Sequence, residues 1–176
     1  MGASEQGASA TEGRWLVIPR TLSFVRSGEG VLLMKRGAHK RIFPNRYNGL
    51  GGHIERDEDV EASARREIEE ESGLTVRDLR LRGIHQIDTG EATGILLFIY
   101  TAWSDGRAVV NSAEGTLEWV HPRDLPGLDL VEDVAEILAR LLKTDEDAPP
   151  WYAHVSYDAN DQIVLRFVGQ AQAGGA

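Results

Sequence analysis

The sequence predicts an α/β protein with a mixed β-sheet between helices. Three observations carry that prediction. Runs rich in Val, Ile, Leu and aromatic residues recur at residues 15–26, 30–36, 76–87, 94–103 and 117–120; bounded by Gly, Pro, Asn and Asp, such runs read as strands. An acidic stretch that stops at Ser72-Gly73 falls between the second and third of them and reads as a helix. A late stretch carries Val134, Ile137, Leu138, Leu141 and Leu142 at helical spacing.

Taken in order, residues 1–13 are rich in Gly, Ala, Ser and Thr and lack the charged and apolar regions of a signal peptide, so a disordered tail is expected. The runs at 15–26 and 30–36 flank Ser27-Gly28-Glu29-Gly30 and predict a hairpin. Residues 37–48 read as a basic loop containing Phe43, Pro44 and Tyr47. Asp57 is the expected N-cap of the acidic helix, with Glu58, Asp59 and Glu61 complementing its dipole, and the helix should end near Glu71. A polar loop at 88–93 separates the next two strands, and a connector punctuated by Pro and Gly follows His121-Pro122. The amphipathic helix is expected over 131–142, then an acidic, proline-rich link at 144–150. Runs at 154–157 and 162–168 flank Asp158-Ala159-Asn160-Asp161 and predict a C-terminal β-hairpin, about 152–168. Residues 169–176 read as a second disordered tail. The chain is thus expected to form one domain, 14–168, without internal repeats.

Composition narrows the function. A length of 176 residues suits one hydrophobic core and is short for two. The net charge of −9 argues against gripping the backbone of long nucleic acids, which needs a basic face. A small anionic substrate stays open, because a bound cation inverts the local field. With no cysteine there is no disulfide framework, thiolate nucleophile or cysteine-ligated zinc. The longest apolar run, 95–100, is too short to cross a bilayer. The expectation is a cytoplasmic enzyme acting on a small molecule, as a monomer or homodimer.

The chemistry concentrates in Glu67, Glu70 and Glu71, spaced i, i+3 and i+4 and so gathered on one helical face. Like charges at that spacing cost roughly a few tenths of a kcal/mol per pair. A hard divalent cation would turn that repulsion into binding. The alternative is a solvated acidic face. The longer context decides between them. From Gly52 to Leu74 the chain reads GHIERDEDVEASARREIEEESGL. Gly52, Glu58, Arg66, Glu67, Ile68, Glu70, Glu71, Gly73 and Leu74 occupy every specified position of G-x5-E-x7-R-E-U-x-E-E-x-G-U, where U is a bulky apolar residue. This pattern is the Nudix box, and the chain resembles the Nudix hydrolases over roughly residues 15–142.

The resemblance implies an α/β/α sandwich and hydrolysis of a nucleoside diphosphate linked to another group, with Mg²⁺ or Mn²⁺ as cofactor. It makes Glu67, Glu70 and Glu71 catalytic metal ligands, with Glu70 the first choice of general base. Gly52 would add its carbonyl. Glu58 and Arg66 are expected to form a structural ion pair. Related triphosphate hydrolases add an acidic ligand from outside the box, and Glu114 stands where it would fall, ahead of Glu118. The segment Arg46-Tyr47-Asn48-Gly49-Leu50-Gly51-Gly52 resembles the entry to the box in enzymes that clear oxidised purine nucleotides. Asn48 would there hydrogen-bond the base. Glu132 and Asp133 fall where those enzymes read the base edge, although complementing a helix N-terminus is an equal alternative. Tyr47 is a candidate for stacking on the base, and Lys35, from the cluster Lys35, Arg36, Lys40 and Arg41, for holding phosphate. Of the histidines, only His53 lies beside the presumed metal loop.

The resemblance is therefore most like the MutT-type branch, which converts 8-oxo-dGTP and related triphosphates to a monophosphate and pyrophosphate. ADP-ribose-cleaving relatives tend to carry a proline near Ile87-Asp88-Thr89-Gly90, and dinucleoside polyphosphate enzymes a tyrosine near Glu91-Ala92-Thr93; both are missing here. Other Nudix substrates, including nucleotide sugars, stay as the alternative. A non-catalytic nucleotide-binding Nudix module is the rival from another class, but such modules usually have damaged boxes.

Overall fold

The structure is a computed structural model and describes residues 2–168; the tail expected at 169–176 lies outside the described residues. Before the first strand, where disorder is expected, Ala3–Gln6 forms a single 3-10 turn. Strand β1 (Leu16–Ser27) turns at Gly28-Glu29 into β2 (Gly30–Arg36), the hairpin predicted there. Gly28 supplies the positive φ of 57° that the turn needs.

The two strands pair only at Arg26↔Val31 and Ser27↔Gly30, then separate. Beyond that point β1 runs parallel to β5 (Thr93–Trp103), and β2 pairs antiparallel with β6 (Gly115–Val120). Tyr47–Asn48, expected to be loop, forms a short strand β3 on β2, because its backbone completes the β2 ladder. The glycine loop that opens the box fills the gap between β1 and β2, with bridges Ser23↔Leu50 and Arg20↔His53. Strand β4 (Arg77–Ile87) lies antiparallel to β5 and parallel to β7 (Trp151–Tyr157), which pairs with β8 (Ile163–Phe167). The sheet order is β3-β2-β1-β5-β4-β7-β8, with β6 on β2. The C-terminal hairpin therefore extends the same mixed sheet.

Helices α1 (Val60–Ser72) and α2 (Glu132–Lys143) cover opposite faces of it. Strand alternation splits the core accordingly. Phe24 and Leu33 pack with Val134, Ile137 and Leu138 of α2, while Val25, Leu32 and Met34 pack with Ile68 of α1. The central strands thus read as unbroken apolar runs because both faces are buried.

Helix α1 begins later than expected. Its N-cap is Asp59, not Asp57: the Asp59 carboxylate accepts the N–H groups of Glu61 and Ala62 at 2.9 and 2.8 Å. Asp57 lies too far before Val60 to reach those donors. Gly73 ends the helix in the left-handed conformation. The connector at Pro122–Gly127 is a 3-10 turn capped by the His121 ring, which accepts the Arg123 N–H.

Candidate active site

The box loop packs tightly at its two glycines. At Gly51, with φ 147°, an added Cβ would fall on the Thr21 carbonyl oxygen. At Gly52 it would stand 2.5 Å from Glu67 Oε1. The Gly52 carbonyl accepts the Thr21 N–H at 2.9 Å, which leaves its second lone pair.

Helix α1 anchors through fully buried Ala64 and Ile68, which turns Glu67, Glu70 and Glu71 toward the loop. The three carboxylates differ in environment. Glu71 is buried, 8% exposed, and its Oε2 accepts the Gly51 N–H at 2.9 Å. Burial pushes its pKa up to about 8, with the negative charges of Glu67 and Glu114 adding to the rise. Burial also raises Glu67, against the lowering effect of Arg66. Glu70 is exposed.

Arg66 ties this end together. Its Nε and Nη2 donate to Glu58 Oε2 and Oε1 at 2.9 and 2.7 Å, a bidentate pair. Nη1 donates to Glu67 Oε1 at 2.9 Å and to Glu70 Oε2 at 3.0 Å, and Nη2 also reaches the His53 carbonyl. The guanidinium and the Glu55 N–H together hold Glu58 low, at about 2. The pairing that the box implies between Glu58 and Arg66 is thus present in the geometry.

Glu114 lies in the turn before β6 and lines the same cleft, with Lys40 Nζ at 2.6 Å from Oε1 and Arg36 Nη2 at 4.0 Å from Oε2. Glu118 does not line it; its Oε2 accepts the Tyr47 hydroxyl at 3.0 Å. Among the described residues no three acidic or histidine side chains already converge as a metal cluster, because Arg66 and Lys40 hold three of the carboxylates. The donor set still fits a hard divalent cation. It is all oxygen, it lines one cleft, and Glu71 is a buried carboxylate with no ion-pair partner among the described residues.

The cleft, about 890 Å³, runs from this wall across one face of the sheet. Its floor is apolar, built from Leu22, Leu97, Ile95, Ile87 and Val155 on four strands, with Tyr157 at the end of β7. Asn48, Glu132 and Asp133 line the same space. Asn48 Oδ1 accepts the Gly49 N–H at 2.9 Å, leaving its amide NH₂ to donate. Asp133 lines the cleft from the first turn of α2, where the Val134 N–H is taken by the Val131 carbonyl. Burial raises its pKa. Glu132 is exposed, with Arg46 at 3.7 Å.

Two of the expected substrate contacts fall elsewhere. Lys35 and Tyr47 are partners in the β2–β3 ladder and share a face, whereas Met34, Asn48 and Arg36 share the other. Tyr47 is buried with its hydroxyl on Glu118, and Lys35 lies over its ring at 5.6 Å. Neither lines the cleft. Sequence reasoning in turn missed Arg20, Val155 and Tyr157, all of which do. For Arg20 a signal existed: it interrupts the alternation Ile18-x-Arg20-x-Leu22-x-Phe24 with a charge.

Comparison with known proteins agrees with this architecture. The model of the NUDIX domain family matches residues 18–142. The mouse oxidized purine nucleoside triphosphate hydrolase is 33% identical over 146 residues, covering 82% of this chain and 89% of the mouse protein. The NAD-capped RNA hydrolase NudC of Pseudomonas syringae is 24% identical over 135 residues, and the match spans only 47% of its length. Among solved structures, the MutT protein of Bacillus halodurans superposes with a TM-score of 0.73 at 23% identity, covering 88% of this chain and all of that one; at that identity it speaks for the fold. No helix among the described residues is long and apolar enough to cross a membrane. With an intact box in the place the fold gives it, the chain belongs to the Nudix hydrolase family.

Proposed function

We propose that the protein hydrolyses a purine nucleoside triphosphate, of the oxidised kind such as 8-oxo-dGTP, to the nucleoside monophosphate and pyrophosphate, with Mg²⁺ as cofactor. The observation that carries this reading is the continuity of the cleft, which joins the carboxylate wall of α1 to an apolar floor rimmed by hydrogen-bonding groups. A flat base suits the floor, and its polar edge suits the Asn48 amide and the Asp133 carboxyl. The activity of the mouse relative points the same way.

Bound Mg²⁺ would neutralise charge on the diphosphate and orient the attacking water. Glu67, Glu70, Glu71 and the Gly52 carbonyl would hold it, with Glu114 reaching from the opposite loop. Glu70, exposed on the same helical turn, takes the proton from the water. The water oxygen joins phosphorus as the α–β anhydride bond breaks, and pyrophosphate leaves. Arg66 keeps its grip on Glu58 and so holds the loop against the helix. The similarity to NudC supports a second reading, cleavage of an NAD-type diphosphate.

The test is phosphate release, with added pyrophosphatase, over 8-oxo-dGTP, dGTP, NAD, ADP-ribose and diadenosine polyphosphates. We expect 8-oxo-dGTP to be turned over with the highest kcat/KM, and Glu70→Gln and Glu71→Gln each to lose about 100-fold or more, the scale of a positioned acid–base group. Preference for NAD would select the second reading. No turnover of any substrate would overturn both, and full activity of the glutamine variants would overturn the site.

A further inference from the structure

Arg20 is a charge set into the apolar floor. Strand alternation places it on the same face of β1 as Leu22, and its cross-strand partner Leu97 also lines the cleft. Its backbone bridges to His53, so it stands at the border between the floor and the box loop. Its Nε is buried without an acceptor, and the guanidinium makes no ion pair among the described residues. The same burial lowers its pKa.

The other arginines around the cleft are committed. Arg66 serves Glu58, Glu67 and Glu70, and Arg36 donates to the Ile42 carbonyl and faces Glu114. Arg20 is thus an uncommitted cation in a cleft whose walls carry Glu55, Glu67, Glu70, Glu71, Glu132 and Asp133. Those carboxylates repel a nucleotide polyphosphate. A buried donor without a partner is costly, and a planar guanidinium matches two phosphate oxygens at once.

We propose that Arg20 binds the phosphate nearest the base, at the point where the substrate passes from the apolar floor to the box. This rests on the nucleotide reading above. Arg20 grips and positions; it transfers no proton.

The test separates phosphate from base, without divalent metal. Binding of dGMP and of deoxyguanosine is measured by calorimetry in EDTA for the wild type, Arg20→Met and Arg20→Lys. The wild type should bind dGMP more tightly than deoxyguanosine. Arg20→Met should weaken dGMP about tenfold or more and leave deoxyguanosine unchanged, with Arg20→Lys between, because it keeps the charge and loses the fork. The unfolding midpoint of Arg20→Met should not fall, since no native partner is lost. In Mg²⁺ reactions KM should rise more than kcat falls. Unchanged dGMP affinity in Arg20→Met, or an equal loss for dGMP and deoxyguanosine, overturns the proposal. If the wild type binds neither and hydrolyses no nucleotide, the nucleotide reading has failed instead. Pyrophosphate titration then decides Arg20 separately: weaker binding by Arg20→Met supports an anion site, and equal binding overturns it.

Discussion

Glu58, Glu67 and Glu70 share the guanidinium of Arg66, while Glu71, in the same helical turn as Glu67 and Glu70, has among the described residues the Gly51 N–H as its hydrogen-bond partner. This division makes Glu71 the group that gains most from a cation. A Cβ at Gly52 would stand 2.5 Å from Glu67 Oε1, so Gly52→Ala would displace the Glu67 carboxylate by about an ångström, a shift worth roughly 100-fold in rate. We expect kcat to fall by about that factor with the circular dichroism spectrum retained; an active Gly52→Ala enzyme would refute the close packing. A second residue-scale prediction concerns His85. It is fully buried, its Nε2 accepts the Trp151 indole N–H at 3.0 Å, and burial holds its pKa down at about 4 against 6.5. A base whose folded pKa is depressed adds stability above its unfolded pKa and loses it as pH falls, here between about 6.5 and 4. The loss should approach about 2 kcal/mol by pH 5. Urea midpoints at pH 7.5 and pH 5 should therefore differ more for the wild type than for His85→Gln; equal differences would remove His85 as the cause.

At the scale of an element, α1 is fixed at both ends and along its buried edge. Asp59 caps its first turn, Gly73 its last, and Ala64 and Ile68 lock its rotation against the sheet. Asp59→Ala should cost about 1 kcal/mol, the usual worth of an N-cap, whereas Asp57→Ala should be near neutral. Urea denaturation of the two variants checks this, and the reverse order would restore Asp57 as the cap. The helix periodicity and its glycine stop were legible in the sequence. The cap was not, because Asp57 and Asp59 both carry a suitable side chain and only the backbone trajectory decides which one reaches the free N–H groups. Lys35 and Tyr47 do not line the cleft, and the reason is again tertiary. Tyr47 packs in the same core cluster as Leu22 and Leu97, but its hydroxyl is taken by Glu118 and Lys35 lies over its ring; a two-residue strand leaves no periodicity from which to read that.

For the whole molecule, the C-terminal hairpin is the informative part. It lies beyond residue 142, where the family match ends, yet β7 pairs with β4 and Val155 lies in the core and on the cleft floor. Trp151 sits over Gly83, where a Cβ would strike the indole ring. Arg140 of α2 packs over Phe167 of β8 at 4.1 Å, which ties helix to hairpin. Removing residues 149–176 should therefore abolish cooperative unfolding. A truncated chain melting at the wild-type midpoint would make the hairpin an appendage.

The features written in the chain are local or periodic: the strand and helix runs, the hairpin turns, and a box whose spacing gathers three glutamates on one helical face. Which distant segments share a surface emerges only on folding. The box loop occupies the gap between β1 and β2, the hairpin completes the cleft floor, and Arg20 stands between floor and box with its Nε unpaired among the described residues. Helical spacing acts over a few residues and is written in the chain. The parallel pairings of β1 with β5 and of β4 with β7 join segments far apart in sequence, and no local pattern specifies those.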